Sequence, residues 1–342
     1  MNAKSGTDGM MRALIYEGPR QLTIRQQPIP IPQVDEVLIR VERVGICGSE
    51  LSGYLGHNSL RKPPLVMGHE FAGTIAAIGE GADIFAIGDR VTVNPLVYCG
   101  VCADCKAGSA NLCKSRSLIG AGQPGAFAEY VIAPKANVLV LPEGISMDEG
   151  ALVEPVACAV RICRLAKITP SDHLLIVGAG PIGLLVFQIA RLFGIVDIVV
   201  MDINPERLEV VTQLGGIAVV SVDELIQVQP SEGFDVTVDA VGMDVTRQQC
   251  MISSTPGGRV VFSGLHAPES VIPVNLAIRN ELTMIGSFAY NPMDFDSALQ
   301  WIIEGRIDLR PWLTHAPLED GQACFEKLIN NPGKTVKFML TL

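Results

Sequence analysis

The chain has 342 residues and a formal net charge of −10, and 48% of its residues are hydrophobic against 18% that are charged. This length favours two domains, and the apolar content excludes a largely disordered chain. No block of basic residues is present that would follow a phosphate backbone, so we expect no nucleic-acid partner.

Neither a membrane segment nor a secretion signal is expected. The most apolar run, residues 174–190, contains three glycines and a proline and is shorter than the roughly 20 apolar residues of a membrane span. Residues 1–10 lack the apolar stretch of a signal peptide. We therefore expect a cytoplasmic protein.

Two strand patterns in the first part of the chain flank a candidate metal site. Cys47 follows the alternating pattern of residues 37–44, and His69 and Glu70 precede the pattern of residues 71–78. A thiolate, an imidazole and a carboxylate are zinc ligands, and three protein ligands leave one position for water or substrate. A histidine beside a glutamate is also a common hydrogen-bonded pair, and the spacing alone leaves this alternative open.

The next segment holds four of the nine cysteines within fifteen residues: Cys99, Cys102, Cys105 and Cys113. Thiolates at such short intervals can converge on one tetrahedral ion, and because four sulfurs leave no open position, we predict a structural zinc in a lobe at residues 95–115. The odd number of cysteines disfavours a disulfide framework. The alternatives are four unrelated reduced cysteines and a zinc-ribbon nucleic-acid module, for which too few neighbouring residues are basic.

Glu154 is the only charged residue between Ala151 and Val160. A lone carboxylate in so apolar a run is costly to bury without a partner. Pro155 predicts that a helix begins there, which would place Glu154 at the helix N-terminal end, where a negative charge is stabilised. We expect Glu154 to join the candidate metal site, and whether Glu154 or Glu70 is the direct third protein ligand stays open.

A nucleotide-binding pattern occupies the middle of the chain. Residues 174–177 predict a buried parallel strand, which leads into a G-x-G-x-x-G turn and a helix at 184–193. A second strand at 198–201 ends in Asp202. Glycines let the backbone approach a pyrophosphate at the helix N-terminus, and the acid binds the ribose hydroxyls. The predicted cofactor contacts in this segment are Gly178, Gly180, Pro181, Ile182, Gly183 and Asp202.

Asp202 also bears on the choice of cofactor. Its carboxylate would repel a 2′-phosphate, which favours NAD over NADP. Arg207 lies five residues on and is the candidate for a phosphate contact, although its position favours the outside of a helix. A purely structural glycine turn in an α/β protein is the alternative to a cofactor site.

Further strand patterns at residues 217–220, 234–239, 258–262 and 282–285, with a helix at 244–254, predict a doubly wound parallel sheet. Ligands of such sheets lie at the carboxyl ends of strands. This rule adds seven predicted cofactor contacts: Val241, Gly242, Ser263, Gly264, Leu265, Ser287 and Phe288. A compact β domain is predicted at residues 12–150, and a last strand at 335–340 is expected to rejoin it.

From Met11 onward the chain resembles the zinc-dependent medium-chain dehydrogenase/reductase family and, within it, polyol (sorbitol-type) and sugar-alcohol-phosphate dehydrogenases. The resemblance rests on motifs in the expected order: Cys47-Gly48-Ser49-Glu50, Gly68-His69-Glu70, the four-cysteine lobe, Glu154-Pro155, the turn at 178–183 and Gly333-Lys334-Thr335-Val336-Lys337. It implies an α/β fold with a GroES-like β-barrel catalytic domain (1–160 and 290–342) and a Rossmann domain (161–289). It also implies a homodimer or homotetramer.

The resemblance implies two zinc ions per chain, NAD, and a catalytic zinc held by Cys47, His69, Glu70 and water, with Glu154 as a direct or water-bridged partner. Such a zinc acts as a Lewis acid that lowers the pKa of a substrate hydroxyl, so that hydride passes from the alcohol carbon to NAD.

Two residues beside the ligand cysteine are expected to assist. Ser49, two residues after Cys47, is predicted to accept the hydroxyl proton. Glu50 is expected to hold His69 in its ligating tautomer and to be oriented by a salt bridge to Lys337. For Ser49 and Glu50, ordinary turn chemistry is the alternative.

The substrate is less defined. Sorbitol-type enzymes place an arginine before a tyrosine where this chain has Ala289 and Tyr290, so sorbitol itself is not favoured. Arg61 and Lys62 would suit a phosphate or carboxylate on the substrate, but a surface loop is favoured for these two charges. The remaining alternatives are an L-threonine-type amino-alcohol dehydrogenase, a zinc-free reductase on the same fold and a non-catalytic NAD- and zinc-binding protein.

Overall fold

The computed structural model describes residues 9–342. The expectation that residues 1–10 form no signal peptide therefore concerns a segment of which residues 1–8 lie outside the described residues. In the described part, no helix combines the length and the apolar character needed to cross a membrane.

The first part of the chain is mostly β-structure, because short runs rich in Val, Ile and Thr alternate with turns that contain Gly and Pro. Its strands are β1 (Met10–Gly18), β2 (Gln21–Pro28), β3 (Glu36–Gly45), β4 (Leu65–Val66), β5 (Glu70–Ile78), β6 (Arg90–Val93), β7 (Leu96–Val97), β8 (Ser117–Leu118), β9 (Tyr130–Pro134) and β10 (Val138–Val140). Its helices are α1 (Gly48–Tyr54), α2 (Ala103–Lys106), α3 (Met147–Ala151) and α4 (Val153–Leu165).

The middle of the chain alternates strands and helices. The strands are β11 (Leu174–Val177), β12 (Ile198–Met201), β13 (Ile217–Val219), β14 (Phe234–Asp239), β15 (Ser254–Phe262) and β16 (Thr283–Gly286). The helices are α5 (Pro181–Leu192), α6 (Pro205–Gln213), α7 (Val222–Val228), α8 (Asp244–Ile252) and α9 (Val274–Arg279). The last part of the chain holds α10 (Pro292–Ile303), β17 (Leu313–Pro317), α11 (Gly321–Asn330) and β18 (Lys337–Thr341).

The main sheet of the first part runs in the order β10-β6-β5-β3-β18-β17, and β9 also pairs with β3. The prediction that the last strand rejoins the first domain is confirmed, because β18 pairs antiparallel with β3. Gly45 at the end of β3 lies opposite Glu70 on one side and Met339 on the other. This register brings the beginnings of β5 and β18 to the end of the strand that precedes Cys47.

The predicted parallel sheet is confirmed. Its six strands run β13-β12-β11-β14-β15-β16, and every neighbouring pair is parallel. The carboxyl ends of β11, β14, β15 and β16 therefore lie along one edge of the sheet. The central strand β11 is a continuous apolar run that is buried at all four residues, as expected for a strand with both faces covered.

Element boundaries differ from the sequence predictions by a few residues, and α5, α4 and β15 illustrate this. α5 begins at Pro181 rather than at 184, since proline is favoured in the first turn of a helix. α4 begins at Val153, so Glu154 lies inside the first turn and not before it. β15 begins at Ser254, within the predicted helix, which ends at Ile252.

Helix α4 links the two halves of the molecule. Its buried residues Val156, Val160 and Ile162 belong to one core cluster with Leu184 and Ile189 of α5. The same cluster includes buried residues of α10. The helix that carries Glu154 is therefore packed directly on the helix that begins at the glycine-rich turn.

Candidate active site

The Cys47 turn and the His69 turn are tied together by one buried carboxylate. Glu50, the third residue of α1, is fully buried and accepts hydrogen bonds from the backbone N–H of Cys47 (2.9 Å) and of Gly68 (2.8 Å). Its Oε1 also lies 2.7 Å from Nδ1 of His69. The expectation that Glu50 orients His69 fits this geometry, which leaves Nε2 of the imidazole for a metal.

The environment keeps Glu50 ionised. Burial raises the pKa of this carboxyl, but attraction to His69, the hydrogen bond with His69 and the charge of Arg61 outweigh it and hold the pKa below its ordinary value. An ionised Glu50 is the form that fixes the proton of His69 on Nδ1.

Lys337 pairs with Glu70, and the expected salt bridge from Lys337 to Glu50 is wrong. Both partners are 1% exposed, and Nζ of Lys337 contacts Oε2 of Glu70. The physical reason is that the carboxylate of Glu50 already has three hydrogen-bond partners. Glu70, by contrast, begins the strand beside β3. A Cβ at Gly45 would overlap the carboxylate of Glu70 and crowd the Lys337 side chain, so glycine is required there.

The ligand atoms of Cys47, His69 and Glu70 all lie within 4.8 Å of one another. Such separations suit bonds of about 2.0–2.3 Å to one central ion, and the donor set of sulfur, nitrogen and oxygen suits Zn²⁺. Lys337 offsets the charge of Glu70, and Glu50 supports His69, so two of the three donors have the outer partners typical of metal ligands. The residues present fit a zinc ion.

Glu154 lies beside this group but is not one of the three convergent donors. Its side chain is 7% exposed, and its Oε1 is 3.9 Å from Sγ of Cys158. Burial raises the pKa of Glu154 to about 7, and the nearby charge of Glu70 adds to the rise. The structure therefore brings Glu154 to the edge of the site, outside the group of three convergent donors.

Ser49 lies beside Cys47, as expected. Its hydroxyl lies 3.4 Å from Sγ of Cys47 and accepts a hydrogen bond of 3.1 Å from Nη2 of Arg61. Arg61 is only 4% exposed. The favoured prediction of a surface loop is therefore wrong for Arg61, whereas Lys62 is exposed as expected.

The four cysteines of the lobe come together as a second group. The sulfurs of Cys99, Cys102, Cys105 and Cys113 lie within 4.8 Å of one another. Backbone N–H groups of Val101 and Cys102 lower the pKa of Cys99 to about 6, which favours the thiolate that binds metal. Four sulfurs at one point fit a closed tetrahedral zinc site.

The lobe also touches the nucleotide half. Asn111 donates a hydrogen bond of 3.0 Å to the carbonyl of Phe288, and the guanidinium of Arg116 lies 5.0 Å from the centre of the Phe288 ring. Phe288 follows β16 at the carboxyl edge of the parallel sheet. The lobe therefore contacts the segment after β16, where a nicotinamide cofactor is expected.

The glycine-rich turn has the geometry that a pyrophosphate needs. Gly178 has a φ of +109°, and a Cβ on Gly183 would overlap the carbonyl oxygen of Gly178. Gly180, by contrast, faces open space directly before α5. Glycine is thus required at 178 by the backbone and at 183 by close packing, while Gly180 leaves room for a ligand at the helix N-terminus.

Asp202 follows β12 and lies against this turn. Its carboxylate accepts hydrogen bonds from the backbone N–H of Ala179 (2.6 Å) and of Asn204 (2.8 Å). Arg207 is not on the outside of its helix, as the sequence favoured, but half-buried, with attraction to Asp202 and a long contact of 3.4 Å to the carbonyl of Thr335. Burial lowers the pKa of Arg207.

The other predicted cofactor contacts lie at the same sheet edge. Asp239 at the end of β14 accepts from the backbone N–H of Val241 and Gly242, and its carbonyl accepts from Ser263 and Gly264. Three further predicted residues follow β15 and β16 there: Leu265, Ser287 and Phe288. Leu265 is 65% exposed, so its side chain faces solvent in this structure.

Tyr290 lies beside the site, in a contact with Glu154 that the sequence did not indicate. It is 1% exposed, it follows β16, and it lies against Glu154; burial, and after it the charge of Glu154, raises the pKa of the tyrosine. Ala289 before it has a φ of +47°, which turns the chain inward. The only feature of the sequence that indicated a place near the site for Tyr290 was its position after the last strand of the parallel sheet.

The chain is similar to known proteins over nearly its whole length. Residues 33–143 match the alcohol dehydrogenase GroES-like domain, and residues 181–304 match the zinc-binding dehydrogenase family. The chain is 32% identical to the probable D-xylulose reductase A of Arthroderma otae, over 96% of each chain. It is also 32% identical to the sorbitol dehydrogenase of Bacillus subtilis, over 96% of this chain and 97% of that one.

A solved structure is similar over almost the same extent. An alcohol dehydrogenase of Escherichia coli CFT073 complexed with NADH superposes with a TM-score of 0.89 at 28% identity, covering 98% of this chain and 100% of that one. Agreement along nearly the whole of each chain, rather than at one motif, shows that this protein belongs to the zinc-dependent medium-chain dehydrogenase/reductase family of oxidoreductases, with a GroES-like domain and a Rossmann domain.

Proposed function

We propose that the chain oxidises a secondary alcohol of a polyol, a sugar alcohol or its phosphate with NAD, and reduces the corresponding ketone in reverse. The observation that carries the proposal is the convergence of Cys47, His69 and Glu70 within 4.8 Å, in a chain that also has the dinucleotide turn. Relatives with 32% identity named D-xylulose reductase and sorbitol dehydrogenase support the polyol class.

The protein residues divide the work around the reacting hydroxyl. When bound, Zn²⁺ would supply a Lewis acid for that hydroxyl and NAD would supply a hydride acceptor. Glu50 holds the proton of His69 on Nδ1, so that Nε2 stays a ligand. Ser49, beside Cys47, accepts the proton of the substrate hydroxyl.

Glu70 is our proposed third protein ligand. Glu154 is assigned as a further partner of the metal, on the side where water or substrate would bind. This division is supported by the place of Glu70 among the three convergent donors and of Glu154 outside them. Lys337 offsets the charge of Glu70 in a buried site and fixes the direction of its carboxylate.

NAD is proposed over NADP because of Asp202. The carboxylate lies at the end of β12 beside the glycine-rich turn, where the adenosine ribose is expected, and it would repel a 2′-phosphate. The proposed nucleotide domain spans residues 161–289, and the boundary at 160/161 falls within α4, which packs on both halves.

The proposal is tested by a panel of polyols, sugar-alcohol phosphates and amino alcohols, each assayed for NAD reduction with and without a chelator. We expect chelator-sensitive NADH formation with a polyol or its phosphate. Oxidation of amino alcohols alone would replace the proposed substrate class, and activity unaffected by removal of all metal would overturn the zinc assignment.

We also propose that the protein is cytoplasmic. We further propose that two or more copies of the chain associate through strand β16. β16 is the last strand of the sheet, Met284 on it is 45% exposed, and Val274 and Ile278 of the preceding helix α9 are 51% and 68% exposed. An exposed strand edge with apolar neighbours favours pairing with a second copy. Light scattering would give a multiple of the 36.6 kDa chain mass, and Met284→Lys would lower it.

A further inference from the structure

Arg61 is buried between two exposed neighbours in the chain. It lies between α1 and β4, and its side chain is 4% exposed although Lys62 is exposed and Leu60 is 67% exposed. The aliphatic part packs against α1 at Gly53, where a Cβ would overlap Cδ of Arg61. The helix beside the metal group therefore has a place shaped for this arginine.

The guanidinium points to the reacting end of the site. Nη2 donates to the hydroxyl of Ser49 at 3.1 Å, and that hydroxyl is 3.4 Å from Sγ of Cys47. The charged end of Arg61 is thus two hydrogen-bond lengths from one proposed zinc ligand. A substrate whose hydroxyl reaches the metal would bring its neighbouring substituents to this guanidinium.

The charge of Arg61 has no adjacent carboxylate. Among the described residues, no ion pair includes Arg61, and its Nε is buried without a hydrogen-bond partner. The charge of Arg61 acts on the carboxylate of Glu50, but the oxygens of Glu50 are already occupied by Cys47, Gly68 and His69. A buried cation with an unused donor is costly unless a ligand completes it.

We propose that Arg61 binds an oxyanion group of the substrate, a carboxylate or a phosphate, and so makes the enzyme selective for acidic polyols. This inference rests on the proposed alcohol oxidation. A guanidinium offers parallel donors that match such a group, and one of them is the free Nε. The interaction sets the position of the adjacent hydroxyl relative to Ser49.

The experiment uses the zinc-loaded enzyme with three polyols of equal carbon number: the neutral polyol, its sugar acid and its phosphate ester. Wild type, Arg61→Met, Arg61→Lys and the exposed control Lys62→Met are compared by kcat and KM. We expect wild type to favour one of the two acids, and the acid preferred distinguishes carboxylate from phosphate. Arg61→Met should raise KM for that acid about 10- to 100-fold and for the neutral polyol less than about threefold.

Arg61→Lys should restore part of the preference, and Lys62→Met should leave all three substrates within about twofold. Binding of each acid to the enzyme–NADH complex, measured by calorimetry, gives a readout that does not depend on turnover. Loss of acid binding in Arg61→Met supports the inference even if the proposed reaction fails. Equal losses for neutral and acidic polyols, or no acid preference in wild type, would overturn it while leaving alcohol oxidation intact.

Discussion

The two metal groups of this protein are built in opposite ways. The four cysteines of the lobe come from one short segment, and Cys99 at its start is exposed. The group of Cys47, His69 and Glu70 is assembled where β3, β5 and β18 meet, and it depends on a buried ion pair and a buried carboxylate. A closed site built from one segment suits a structural ion, whereas a site held by three strands can keep one position open for chemistry.

Replacing Cys47 gives the sharpest test of this difference. Cys47→Ala should lower kcat/KM by about 10³-fold or more, because several kcal/mol of transition-state stabilisation depend on the metal. Thermal stability should change little, since α1 retains its Glu50 contacts. Metal analysis should give one zinc per chain. Retention of two zinc ions with full activity would contradict the assignment.

The outer partners of the catalytic group should matter less than the donors. Glu50→Gln keeps the size of the side chain but removes the charge that fixes the proton of His69 on Nδ1. We expect kcat/KM and zinc affinity to fall about 10- to 100-fold, as for other partners of metal ligands. Zinc titration against a competing chelator measures the affinity, and unchanged affinity would assign Glu50 to turn structure alone.

The lobe should show the reverse response. Cys105→Ser should remove one zinc per chain and lower Tm by about 5 °C or more, since the lobe has a small core of its own. The kcat measured well below Tm should stay within about tenfold of wild type. Differential scanning calorimetry together with metal analysis checks this, and an activity loss as large as that of Cys47→Ala would end the distinction between the two sites.

Substitutions at two glycines of the nucleotide turn distinguish a packing role from a cofactor-binding role. Gly183→Ala introduces a Cβ that meets the carbonyl of Gly178, so both Tm and NAD affinity should fall. Gly180→Ala meets nothing in the protein, so Tm should hold while KM for NAD rises about tenfold. Equal effects of the two changes on Tm would show that position 180 has no ligand-specific role.

The smallest effect is expected at Asp202. Asp202→Asn keeps the acceptor for the N–H of Ala179 but removes the charge that would repel a 2′-phosphate. The ratio of kcat/KM for NAD to that for NADP should fall about 10-fold, mainly through a better KM for NADP. An unchanged ratio would locate the selectivity elsewhere, with Arg207 as the next candidate.

Local signals in the sequence predicted the parallel sheet, the glycine-rich turn and the four-cysteine lobe, because each depends on neighbouring residues. The pairing of Lys337 with Glu70 was not predictable in the same way, since it depends on the register of β3 between β5 and β18. The burial of Arg61 likewise depends on the space left by Gly53. A hydrophobic periodicity in the sequence does not indicate such a space.

Zinc-edge anomalous diffraction from crystals of the purified protein tests the central claim most directly. Two peaks are predicted per chain, one among the sulfurs of the lobe and one bonded to Cys47, His69 and Glu70. A single peak in the lobe, with nothing between those three residues in protein that is active, would contradict the account.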